Sequence, residues 1–172
     1  MPTTVARNAV REVAAVPTRQ KPRKFSGSDK ALNRQEDSYR DWLVMFQNQT
    51  TSKRMTSVRE GLPANLFDMA ARDLGISQAE MLCFAGVSSS TFHRKLEKDE
   101  LLDQAPTERL MRLADIQNTC RQIFGDHMQA ARWLKTPNIA LGGASPLGVL
   151  DNEFGAQAVR KALSAIEYGG AA

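Results

Sequence analysis

The chain has 172 residues, 42% of them hydrophobic and 24% charged, with a formal net charge of +4. That size fits one compact domain, or two small ones with a tail, and excludes a large multidomain enzyme, while the composition excludes a wholly disordered chain. No run approaches the roughly 20 apolar residues that span a bilayer; Val13-Ala14-Ala15-Val16 is the longest near the start, so no membrane span and no signal peptide are expected, and the expected location is the cytoplasm.

The charge is unevenly placed. Arg7, Arg11, Arg19, Lys21, Arg23 and Lys24 stand against Glu12 alone, so residues 1–30 read as a basic leader. With Pro17, Pro22 and few large apolar residues, the leader is expected to be flexible, either strengthening binding to a polyanion or solubilising the chain. The Ser26-Gly27-Ser28-Asp29 cluster ends it. Tyr39, Trp42, Leu43 and Phe46 then recur at helical spacing, predicting a helix over residues 34–46 whose apolar face packs on the core or, less simply, on a second copy. Residues 47–57, polar and rich in Ser and Thr, read as a loop, so that 31–57 forms a helix and linker.

Pro63 suits the opening of a helix with an apolar face of Leu62, Leu66, Met69, Ala70 and Leu74, and Gly75 suits its left-handed end. Ser77-Gln78-Ala79-Glu80 is a capping box, with Ile76 and Met81 as its hydrophobic staple, and the helix it starts lasts only to Ala85 before Gly86. Ser88 caps the next helix, where Val87 and Phe92 repeat the staple spacing. A long helix follows over about 106–124, closed by Gly125; Asp126 with Gln129 caps one over 127–134, which Thr136-Pro137-Asn138 breaks. Ser145-Pro146 opens a short turn of helix to Leu150. The last helix, about 155–166, has Ala158, Val159, Ala162, Leu163 and Ile166 on its apolar face and Gly169-Gly170 as terminator. No segment alternates with period two, so the fold class is all-α, with a unit over 58–118 and a second over 119–172.

Two short helices about a glycine turn, as in residues 77–96, are the geometry that lays a second helix in the major groove of DNA. Phe92 and Leu96 are expected to point inward. The candidate DNA-contacting set is Ser88, Ser89, Ser90, Thr91, His93, Arg94, Lys95 and Lys98, in which Arg94 can fork onto guanine, the hydroxyls can meet phosphates or base edges, and Lys95 and Lys98 can hold phosphate. Catalysis has little support: His93 and His127 lie in no metal spacing, Gly142-Gly143 precedes no Lys-Ser/Thr pair, and no nucleophile, base and orienter occur together. The expectation is a protein that is not an enzyme and uses no cofactor. Cys83 and Cys120 sit in apolar helical patterns and are expected to be buried thiols, with no disulfide.

Leu74-Gly75-Ile76-Ser77 through Gly86-Val87-Ser88, then Thr91-Phe92-His93-Arg94-Lys95 and Arg109-Leu110-Met111-Arg112-Leu113-Ala114, resemble the Xre-like helix-turn-helix half of Xre/MbcA/ParS antitoxins. Ala130-Ala131-Arg132-Trp133-Leu134, Pro137-Asn138, Leu141-Gly142-Gly143, Ser145-Pro146-Leu147, Gly155, Val159 and Leu163 are similar to that family's small helical toxin-binding domain. The resemblance covers about residues 60–170. It implies a type II antitoxin whose partner is a RES-domain toxin that consumes NAD, with operator DNA as a second partner and a homodimer as the working unit. The toxin-facing candidates are Trp133, Asn138, Leu141, Gly142, Gly143, Tyr168, Gly169 and Gly170. Within that set the 138–143 loop could cover a dinucleotide pocket, and the 167–172 terminus could thread into one. The rival reading is a stand-alone helix-turn-helix regulator with a C-terminal sensing or dimerisation domain.

Overall fold

The computed structural model describes residues 38–169, so the leader, residues 31–37 and, of the candidate terminus, residues 170–172 with Gly170 lie outside the described residues. Helix α1 is helical over 38–47. Tyr39, Leu43 and Phe46 bury one face of it, and Trp42 stacks between Tyr39 and Phe46 with ring centroids 5.6 and 5.4 Å away. The expected loop over 47–57 is wrong: Thr51–Glu60 is a helix, α2, capped by the Thr50 hydroxyl, which accepts from the Lys53 N–H. No residue of α2 is fully buried. Arg54 anchors it instead, donating to the Phe46 and Gln47 carbonyls at 3.1 and 3.2 Å and lying 4.3 Å from the Phe46 ring centre.

Helix α3 (Asn65–Leu74) begins two residues beyond Pro63, because Pro63 is occupied in an isolated bridge with Leu101. That bridge ties the α2–α3 connection to the stretch before α6: the Leu102 N–H donates to the Leu62 carbonyl at 2.8 Å, and the Leu62 N–H to the Thr107 hydroxyl at 3.1 Å. Gly61 (φ 96°) sits in the same crossing, where a Cβ would strike the Leu102 carbonyl. Helices α4 (Gln78–Ala85) and α5 (Ser89–Glu97) follow, then α6 (Gln104–Phe124), whose 21 residues make a rod of about 31 Å.

The α6 rod packs on α2, α4, α7 (His127–Lys135) and α9 (Glu153–Tyr168), so one buried cluster runs from Tyr39 through Leu110, Leu113 and Ile116 to Leu163. The expected division at residue 118 falls inside this helix. Between α7 and α9 lie a 3₁₀ turn, Ile139–Leu141, and the short α8, Pro146–Val149. Helix α9 starts at Glu153 because the Asn152 side chain accepts from the Gly155 N–H, and a Cβ on Gly155 would run into the Val149 carbonyl. Gly169 ends α9 in right-handed backbone (φ −81°).

Three burial expectations need correction. Cys83 is exposed, since helical phase puts it opposite the buried Met81, Leu82 and Phe84; Cys120 is buried, and burial pushes its thiol up to about 12. Ala158 and Ile166 are exposed, because the packed stripe of α9 is the narrower Ala156, Val159, Ala162 and Leu163. Among the described residues no helix is long and apolar enough to cross a membrane, and no group of His, Cys, Asp and Glu could hold a metal.

Candidate nucleic-acid and partner-binding surfaces

Local cap chemistry sets the helix-turn-helix. The Ser77 hydroxyl accepts from the Glu80 N–H at 3.2 Å, and the Glu80 carboxylate accepts from the Ser77 N–H at 2.8 Å and its hydroxyl at 2.7 Å. These bonds hold the Glu80 carboxyl below the usual range, with the Lys135 charge adding to the effect. Gly86 turns the chain at φ 68°, and the space a Cβ would need there is filled by the Arg109 guanidinium of α6. The Ser88 hydroxyl then caps α5, accepting from the Thr91 N–H at 3.2 Å and donating to the Thr91 hydroxyl at 2.9 Å.

Phe92 is fully buried and Leu96 half-buried, which leaves Ser88, Ser89, Ser90, His93, Arg94 and Lys98 exposed around one nine-residue helix. Thr91 is half-buried. His93 Nδ1 lies 2.8 Å from the Ser89 carbonyl, which can only accept, so Nδ1 is the donor in this contact. Arg94 reaches Glu100 at 2.8 Å with half of its side chain exposed, so the guanidinium is poised at the surface by a pair that water already weakens. Lys95 does not belong with the others. Only 9% exposed, it donates to the Leu101 carbonyl at 2.7 Å and to Asp103 at 3.0 Å, because three residues after Phe92 the helix turns it inward. Its charge holds the α5–α6 connection and does not face a phosphate.

The C-terminal candidates divide in the same way. Trp133 is half-buried, 5.8 Å from Phe124 by ring centroids, and both line an open cleft of about 590 Å³. Asn138 is a staple: its side chain accepts from the Ala140 N–H at 2.9 Å, its carbonyl from the Leu141 and Gly143 N–H groups at 3.0 Å each, and its own N–H donates to Ala144 at 3.0 Å. Leu141 packs against the core, while Gly142 and Gly143 (φ 67° and 84°) close the turn in open space. The sequence reading overlooked what this frame displays, Ile139, which is 96% exposed. Phe154 and Tyr168, at the two ends of α9, are 85% and 70% exposed, and Gly169 follows Tyr168 at the surface.

A glycine-turned helix pair with a polar second helix, joined to a helical module that exposes single apolar side chains, defines a DNA-binding type of regulator with a second surface for a protein. Residues 53–115 match the family model of the antitoxin Xre-like helix-turn-helix domain, and residues 120–169 that of the antitoxin Xre/MbcA/ParS C-terminal toxin-binding domain. The chain is 27% identical to the antitoxin Xre of Photorhabdus laumondii over 113 residues, covering 65% of this chain and 76% of that one. It is 28% identical to the antitoxin Xre of Yersinia enterocolitica over 114 residues, 66% and 77% of the two chains. A protein of Sphingobium named Prs ADP-ribosylating antitoxin is 23% identical over 125 residues, 67% of this chain and 79% of its own. The chain belongs to the Xre/MbcA/ParS-type antitoxins.

Proposed function

We propose that this antitoxin neutralises an NAD-consuming RES-domain toxin through its C-terminal face and represses its own operon by binding operator DNA through α5 as a homodimer. The observation that carries the first half is the 138–143 turn, a frame closed by four hydrogen bonds of Asn138 that holds Ile139 almost entirely in solvent. An isoleucine held rigidly outside the core loses little entropy when a partner covers it, which is how a few residues come to dominate an interface. The relative named for ADP-ribosylation agrees with a toxin that uses NAD, since ADP-ribosyl transfer consumes it. Tyr168 at the end of α9 supplies a second, amphipathic anchor beside the chain terminus.

The second half rests on the exposed polar face of α5. One short helix reads few base pairs, so a two-fold pair of chains is needed for a specific site. Val44 and Met45, exposed on α1, are the candidate contact between copies, and light scattering at micromolar concentration should give twice the chain mass.

Co-expression with a RES-domain toxin tests neutralisation, read as cellular NAD. The full chain should preserve NAD, and a chain ending at Glu167 should protect less. Full protection by the shortened chain would assign the contact to the 138–143 turn alone, and full protection by a Gly142/Gly143 double substitution as well would remove the proposal.

A further inference from the structure

A cleft of about 630 Å³ opens between the end of α3 and α7, at the join of the two halves. Arg40, Arg72, Arg132 and Lys135 line it, against Asp73 and Asp126. Both acids are already engaged. Asp73, its side chain 5% exposed, takes the Arg40 Nε at 2.9 Å and the Gln117 amide at 3.4 Å; Asp126 accepts the Met128 N–H at 3.0 Å as the α7 cap. Arg40 also donates to His127 Nε2 at 2.7 Å. What remains on the rim is positive. Arg132 and Lys135 are both exposed, one helical turn apart on α7, and Arg132 has no ion pair among the described residues.

The position of Lys135 gives this charge a direction. Its ammonium donates to the Gly75 carbonyl at 3.2 Å, two residues before the Ser77 cap of α4, and acts on Glu80 in the first turn of that helix. When the second helix of a helix-turn-helix lies in the major groove, the first crosses the sugar-phosphate backbone. A cation fixed at the start of α4 is therefore beside the line of phosphates, and an ammonium that spends one of three protons on a carbonyl keeps two for an anion.

We propose that Lys135 and Arg132, on α7 of the toxin-binding half, each hold a backbone phosphate of the duplex that α5 engages, which makes that half part of the DNA interface. This rests on the DNA-binding reading above. An acidic segment of the toxin is the rival occupant, and the experiment separates the two. The full chain is titrated against a fluorescent 24-bp duplex of mixed sequence at 50–200 mM salt, because the phosphate contribution needs no operator. Each lost phosphate contact lowers the slope of log affinity against log salt by about 0.9, so Arg132→Gln with Lys135→Gln should lower it by about 1.8, shrinking the wild-type advantage about tenfold across that range. Lys161→Gln, which removes one charge from the exposed side of α9, should leave the slope alone, and Lys135→Arg should restore most of its share. Equal slopes for wild type and the double variant, with helicity intact, would overturn the proposal and leave DNA binding standing; equal slopes with weakened toxin binding would give the cleft to the toxin. A wild-type chain that binds no duplex at low salt would instead remove the DNA-binding reading on which this one depends.

Discussion

The face of α5 and the surface around the 138–143 turn are built on opposite principles. On α5 itself the large apolar side chains, Phe92 and Leu96, are turned in, and the exterior carries hydroxyls, an imidazole and charged groups whose bonds are exchangeable with water. Around the turn and the ends of α9 the polar groups are spent on holding backbone, and single apolar side chains, Ile139, Phe154 and Tyr168, are left outside. The first arrangement suits a hydrated polyanion, where contacts form by releasing counterions; the second suits a protein cleft, where they form by releasing water from apolar surface. One fold can therefore serve both partners without either site being a compromise.

Substitutions that move one surface and spare the other sharpen that contrast. The largest effect is expected from Ile139→Asp, which places a carboxylate where the partner would bury an alkyl group. Toxin affinity measured by calorimetry should fall by about 2–4 kcal/mol, while duplex binding and Tm stay as they are. A parallel loss of DNA affinity would break the division. Arg94→Ala should act in mirror image, costing about 1–3 kcal/mol on the specific operator and relaxing preference at one base position, with toxin affinity unchanged. Equal losses on operator and random DNA would make Arg94 a phosphate contact.

The smallest expected effect falls on both surfaces alike. Tyr39 is fully buried and donates to the Gln117 side chain at 2.7 Å, tying α1 to the rod that supports both halves. Tyr39→Phe should lower stability at pH 7 by about 1–2 kcal/mol, by leaving the Gln117 oxygen without its donor. Burial first, and the nearby Asp73 charge second, raise the Tyr39 phenol well above 10.0. The unfolded chain therefore releases this proton before the folded one does, so the contribution is intact below pH 10 and is lost as pH rises toward the folded value. Cys120 acts in the same sense between 9.0 and about 12. Denaturant midpoints should decline above pH 9 in the wild type and less steeply in Tyr39→Phe; identical slopes would place the alkaline loss in the thiol alone.

The parts legible from sequence were those decided within four residues. The Ser77–Glu80 box, the Ser88 cap and the glycines at 75, 86 and 125 are closed by neighbours in the chain, so residue type and spacing were enough to place α4, α5 and the end of α6. Helix α2 escaped notice because its anchor is Arg54 reaching Phe46, Gln47 and Asp115, a polar tether that leaves no apolar periodicity. Lys95 was misread although the signal was present: it follows Phe92 by three residues and so shares its buried face. Ile139 could have been found as an isolated β-branched residue between Pro137-Asn138 and Gly142-Gly143, in a turn too short to bury it.

The bond between Tyr39 and Gln117 spans 78 residues, and that between Asn118 and Leu43 spans 75. Such distant pairs close late in folding, after the local caps of α4 and α5 have formed. On the ribosome the delay has a clock. At about 5–20 residues per second, the apolar face of α1 leaves synthesis about 4–16 s before the stretch of α6 that will cover it. During that interval Tyr39, Trp42, Leu43 and Phe46 are available to any chaperone or protease that reads exposed apolar chain, so the supply of finished antitoxin is set partly by how quickly α6 arrives.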